Sequence, residues 1–118
     1  MANLSKSKYI TYCQCPKALW LKQYKSEEMV IDPLTQARFD AGTEVGELAK
    51  RLFGDFVEAT TYKTAADGTQ RLDLGAMAAA TQKALAEGAE NIAEAAFIYD
   101  GCYCAVDLLH KTPHGYAI

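Results

Sequence analysis

Hydrophobic residues follow two different periods along this chain, and the change of period divides it. From Leu34 to Leu52 the apolar positions Leu34, Ala37, Ala41, Val45, Leu48, Ala49 and Leu52 recur at a helical spacing. Asp32-Pro33 supplies an N-cap acid followed by proline at the first position, so a helix is expected from Pro33 to about Phe53, closed by Gly54. Before it, Ser5 can cap a helix over about Lys6 to Cys13. Cys15-Pro16 interrupts that helix, and Pro16 suits the first turn of a second one reaching Tyr24. Tyr9, Cys13, Trp20 and Tyr24 can then share a buried side, and Ser26 to Ile31 reads as a connector.

After Gly54 the pattern turns toward strands. Asp55 to Thr61 is a candidate edge strand, and Tyr62 to Leu72 is polar and turn-rich around Asp67-Gly68. An alanine-rich helix is predicted from about Asp73 to Glu87, closed by Gly88. Ala93 to Tyr99 and Cys102 to Leu109 are strands joined by Asp100-Gly101, a strong two-residue hairpin signal. A turn through Lys111–Gly115 leads to a last strand at Tyr116–Ile118. The expected fold class is α/β in an α+β arrangement, with helices packed on an antiparallel meander. A sheet that finishes on so short a strand suggests one partial domain over residues 1–118. It divides into a helical segment, 1–31, and an incomplete core, 32–118.

Composition narrows the class. Half the residues are hydrophobic, so a core can form. No apolar run reaches the length of a membrane span and no secretory leader is visible, so a cytoplasmic protein without membrane partners is expected. Charge is segregated: residues 1–25 carry five lysines and no acid, whereas 26–60 carry eight acids against three bases. Lysines interleaved with Tyr9, Tyr12, Trp20 and Tyr24 are one signature of a single-strand nucleic-acid surface, with Lys17 and Lys22 as its contacts. The competing reading is a helix pair with a buried aromatic stripe and solvated lysines. The four cysteines form two Cys-x-Cys pairs, Cys13/Cys15 and Cys102/Cys104, a spacing that fits neither a zinc knuckle nor cytosolic disulfides well.

The chemistry centres on Asp107, an acid within Cys-Tyr-Cys-Ala-Val-Asp-Leu-Leu. A carboxylate buried among Ala, Val and Leu needs a partner. Strand alternation puts Tyr103, Ala105, Asp107 and Leu109 on one face and Cys102, Cys104, Val106 and Leu108 on the other, which makes the cysteines core packing on the far side. The helix from Pro33 contributes Glu44 and Glu47, either of which could join Asp107 in a site for Mg²⁺ or Mn²⁺. Gly42 and Gly46 on that helix each cost about 1 kcal/mol relative to alanine, which suggests close approach by another backbone or a ligand. His110 and His114 flank a turn and are expected to be exposed and without a role.

Four segments together carry a resemblance: Leu4-Ser-Lys-Ser-Lys-Tyr9, Cys15-Pro-Lys-Ala-Leu-Trp-Leu21, Phe39-Asp-Ala-Gly-Thr-Glu-Val-Gly-Glu-Leu-Ala49 and Ala105-Val-Asp-Leu-Leu109. This pattern resembles an uncharacterised bacterial family related to RecB-type nucleases of the PD-(D/E)XK superfamily. The resemblance implies a helix supplying an acid, a strand supplying Asp and a following strand supplying Glu-x-Lys. Asp107 matches the Asp, and Glu47, with Glu44 second, is the choice for the helix acid. The position where such nucleases often carry His or Glu is Gly46, and the Glu-x-Lys pair is absent. Cys15, in its Cys-Pro context, matches the first cysteine of the iron-sulfur cluster found in some relatives, but the other three would lie beyond Ile118. A cluster is therefore expected only in a longer chain.

The expected function is thus part of a Mg²⁺- or Mn²⁺-dependent DNA nuclease, inactive alone because the Glu-x-Lys strand is missing. The alternative is a non-catalytic nucleic-acid or protein interaction module. Partners implied are DNA and, through the unpaired sheet edge, a partner protein or a second copy.

Overall fold

The computed structural model describes residues 4–118, which form a mixed α/β structure with four α-helices and two sheets. The elements run β1 (Leu4–Ser5), α1 (Lys6–Gln14), α2 (Pro16–Tyr24), a 3-10 turn (Ser26–Glu28), α3 (Pro33–Ala49), β2 (Val57–Glu58), β3 (Tyr62–Thr64), β4 (Gln70–Leu72), α4 (Leu74–Ala86), β5 (Asn91–Tyr99), β6 (Cys102–Thr112) and β7 (Gly115–Ala117).

The predicted helix signals act where the sequence puts them. Ser5, Asp32 and Asp73 each accept a hydrogen bond from a first-turn amide, at Lys8, Thr35 and Ala76 respectively. Helix α3 ends at Ala49, one turn before the expected Phe53. The chain continues in turns to Gly54, whose φ of +94° suits glycine. The Asp100-Gly101 hairpin forms with φ of +46° and +74°, the left-handed pair that matches strand twist. The stretch 62–72 is more ordered than expected: β3 and β4 pair as an antiparallel hairpin around Gly68.

The main sheet is not a purely antiparallel meander. Its order is β1-β6-β5-β2, with β7 also pairing β6. The β5–β6 and β6–β7 ladders are antiparallel, but β1 runs parallel to β6 and β2 parallel to β5. The parallel pairings arise because helical segments separate these strands from their neighbours, as crossover connections require. On the edge of β6 away from β5, β1 covers residues 102–103 and β7 covers 110–112. Among the described residues nothing pairs with that edge between them.

The core lies between α4 and the sheet. Ala59, Ala84, Ile92, Ala95 and Leu109 form its cluster, with Ala80, Val106 and Tyr116 packed against it. Small side chains dominate, so α4 can approach the sheet closely. Thr81 is buried and bridges the layers: its hydroxyl donates to the Met77 carbonyl and accepts from the Ala96 amide at 2.8 Å. That hydroxyl makes a polar group at the centre of an apolar layer inexpensive.

The first three helices behave differently. None of α1, α2 or α3 contains a buried residue. Tyr9, Cys13, Trp20 and Tyr24 do not share a buried side; all four are exposed. The apolar stripe of α3 is likewise uncovered, with Leu48 at 68% exposure. Helical spacing establishes that one face is apolar, but not that another element reaches it.

Candidate functional site

Asp107 is exposed rather than buried. It lines an open cavity of about 650 Å³ between α3 and the sheet, together with Arg38, Gly42, Gly46, Glu47, Lys50 and Glu94. Glu47 is therefore brought to the same cavity as Asp107, whereas Glu44 is not among its lining residues.

Glu94 is the residue that sequence reasoning missed. The β5–β6 register pairs Ala93 with Leu108 and Ala95 with Val106, so Glu94 and Asp107 occupy the opposed position between them. Glu94 has φ of +55°, an uncommon conformation for a residue with a long side chain. This conformation breaks the strand alternation. Ile92 and Ala95, three apart, both join the core cluster, while Glu94 lies on the cavity side. The same shift appears on β6, where Val106 and Leu109 both pack into the core and Asp107 and Leu108 both line the cavity. The two faces predicted for β6 are corrected accordingly, because simple alternation assumes unbroken extended backbone on both strands. A signal was present: Glu94 is a lone acid within Ile-Ala-Glu-Ala-Ala-Phe-Ile, just as Asp107 is a lone acid in its own apolar run.

Electrostatics tie the cavity to α3. The Lys50 ammonium lies 2.8 Å from Glu47 and 3.0 Å from Glu58, and its side chain is only 12% exposed. The hydrogen bond to Glu47, reinforced by Glu58, raises its pKa despite burial, so Lys50 stays charged. Burial pushes Glu58 up, but the Thr60 hydroxyl and Lys50 more than offset this and hold it below the ordinary carboxylate value. Glu94 is raised, first by burial and then by the negative charges of Asp107, Glu58 and Glu47, against the opposing pull of Lys50.

Gly42 and Gly46 do not mark a close approach by protein. A Cβ built at either would meet nothing within 4 Å, so both border open space in the cavity.

A second cleft of about 330 Å³ also reaches Asp107, lined by Ser5, Lys6, Ser7, Ile10, Tyr103 and Cys104. The cysteines are not core packing: Cys102 is exposed, Cys104 is half-buried, and both border an apolar pocket of about 430 Å³ beside Tyr9. All four cysteines are free. Cys15, exposed, serves as the N-cap of α2. Among the described residues, no group of three or more His, Cys, Asp or Glu is arranged to hold a metal ion. The iron-sulfur layout therefore has no counterpart among them, and a cation at the Glu94–Asp107 pair would have two carboxylates as its protein ligands. That donor number fits Mg²⁺, which keeps several waters and takes one or two carboxylates plus substrate oxygens.

His110 departs from expectation by being half-buried and engaged. Its ring stacks on Phe53 with centroids 3.9 Å apart. The Asn91 amide nitrogen donates to the carbonyls of Phe53 and Asp55, at 3.2 and 2.9 Å. Its oxygen therefore faces His110 Nδ1 at 2.7 Å, which makes Nδ1 the donor. This network fastens the chain that follows α3 to the sheet, and so sets where Lys50 enters the cavity.

Lys17 and Lys22 lie away from the acids, exposed on α2, with Lys22 donating to Thr11 on α1 at 3.3 Å. No helix among the described residues is long and apolar enough to cross a membrane. No family model, no curated protein and no solved structure matches this chain.

Proposed function

We propose that the cavity between α3 and the sheet is the acid half of a divalent-cation site for phosphodiester hydrolysis, of the kind the resemblance to RecB-like PD-(D/E)XK nucleases implies. The supporting observation is the opposed pair Glu94 and Asp107. The β5–β6 ladder is interrupted at this position, the negative charge of Asp107 acts unfavourably on Glu94, and a glutamate at positive φ adds strain. Two costs at one point are best explained by a ligand that needs both carboxylates.

In this reading Asp107 and Glu94 hold Mg²⁺ or Mn²⁺, with Glu47 as the helix acid beside them. A cation bound there would polarise a phosphate oxygen and acidify a coordinated water. Lys50, paired with Glu47 and Glu58, offsets part of the negative charge around the cation position, and Arg38 on the cavity wall, in no ion pair among the described residues, is the cation left to meet an anionic DNA substrate. This chain carries no Glu-x-Lys pair, so the carboxylate and lysine that normally complete such a site are lacking.

The test is a Mn²⁺ titration followed by electron paramagnetic resonance. One bound ion is expected, with affinity reduced about tenfold or more by Asp107→Asn or Glu94→Gln, the scale on which perturbing a metal site usually acts. Glu44→Gln should leave it unchanged. Binding indifferent to Asp107 and Glu94 would exclude the site. The purified chain should not cleave DNA with Mg²⁺ or Mn²⁺; cleavage abolished by Asp107→Ala would show that no Glu-x-Lys strand is needed.

A further inference from the structure

We infer that the α1–α2 hairpin is a stacking surface for single-stranded nucleic acid, an interaction separate from the cation site. The observation is the joint exposure of its aromatic rings and its lysines. Lys17, Trp20 and Tyr24 fall at i, i+3 and i+7 of α2, hence on one face. Trp20 is 53% and Tyr24 66% exposed, with ring centroids 5.6 Å apart and planes tilted by 42°. Tyr9 and Tyr12 on α1 are exposed as well. An aromatic face turned to water on both helices is costly for a monomer unless it meets a partner.

Charge selects the partner. Residues 1–25 hold five lysines and no acid in a chain of net charge -3. Lys25 lies 3.6 Å from Glu27, but Lys6, Lys8, Lys17 and Lys22 form no ion pair with an acid among the described residues. Unneutralised lysines with exposed rings complement a polyanion that has free planar groups. A single strand has both; a duplex hides its base faces, and an acidic peptide offers few planar groups. The Lys22–Thr11 hydrogen bond braces the two helices against each other, so the rings are presented on one support.

The test is fluorescence anisotropy with labelled single strands of about 12 nucleotides, DNA and RNA, and a duplex of the same length, in EDTA at about 50 mM salt. At least one of the two single strands should bind about tenfold or more tightly than the duplex and quench the emission of Trp20, the one tryptophan in the chain. Trp20→Ala with Tyr24→Ala should lower that affinity by about tenfold or more, and Trp20→Phe should retain most of it. Lys17→Glu, on the face of Trp20 and Tyr24, should weaken binding and flatten its salt dependence. These variants alter exposed side chains, and unchanged circular dichroism verifies their fold. Because the assay runs in EDTA, where no divalent cation is available, failure of the cation site and failure of this surface read out separately. Equal affinity for duplex or heparin, no binding, or indifference to the loss of both rings would overturn the inference.

Discussion

The α4–β5–β6 region and the α1–α3 region are built from the same signals but finish differently. In the first, the hydrophobic pattern finds a partner: Ile92, Ala95 and Leu109 cluster with Ala84, Thr81 bonds α4 to the sheet, and Asn91 ties the sheet to the chain after α3. In the second, caps and periodicity make well-formed helices whose apolar faces remain in water. The chain exposes 8918 Å², against about 6300 Å² expected for a folded monomer of its mass. Its radius of gyration, 16.2 Å, likewise exceeds the roughly 13.5 Å expected of a compact domain of this length. Local signals therefore fix a helix independently of its burial, and burial decides which region carries stability.

The largest effect should come from testing that division directly. Ile92→Ala removes a fully buried side chain and is expected to cost about 2–5 kcal/mol, whereas Leu48→Ala on α3 should stay within about 0.5 kcal/mol. Urea unfolding of both variants measures the contrast, and equal losses would mean that α3 is packed in solution.

Asn91→Ala comes next. It strips the donors from the Phe53 and Asp55 carbonyls and the acceptor from His110, for about 1–3 kcal/mol. Hydrogen exchange should show the loss at residues 53–56 together with global destabilisation. Protection unchanged there would disconnect the network from the chain that follows α3.

Gly42→Ala and Gly46→Ala should stabilise by about 1 kcal/mol each, because a Cβ at either position clashes with nothing. A thermal-melt shift upward sharpens the comparison by showing that the glycines leave the cavity open instead of permitting helix packing. A loss of stability would indicate contacts on that face.

The smallest effect is electrostatic. Glu94 has a raised folded-state pKa, so its contribution is full below its ordinary value of 4.5 and is lost as pH rises through the folded value. Lys50 opposes this shift, and Asp107, Glu58 and Glu47 add to it after burial. Glu94→Gln should flatten that part of the stability profile, read by denaturant titrations at a series of pH values above 4. An unchanged profile would place the Glu94 carboxylate in water.

Much of the fold was legible because its signals are local. Ser5, Asp32 and Asp73 cap through their own first turns, and Asp100-Gly101 sets its hairpin within two residues. Asp107 and Glu47 were legible as isolated acids, and they do border one cavity. Other features depend on residues distant in sequence. The parallel pairing of β1 with β6 and of β2 with β5 joins segments far apart along the chain. The engagement of His110 depends on Phe53 and Asn91, and the exposure of Trp20 on no element covering it. Above all, the backbone turn at Glu94 shifts the side-chain alternation on both strands and sets two carboxylates opposite each other. The sequence by itself determined where elements start and stop, since caps, turns and periodicity act over a few residues. Only the tertiary structure decided which faces are covered and which acids meet, because strand register, crossover and backbone φ are settled by packing across the whole sheet.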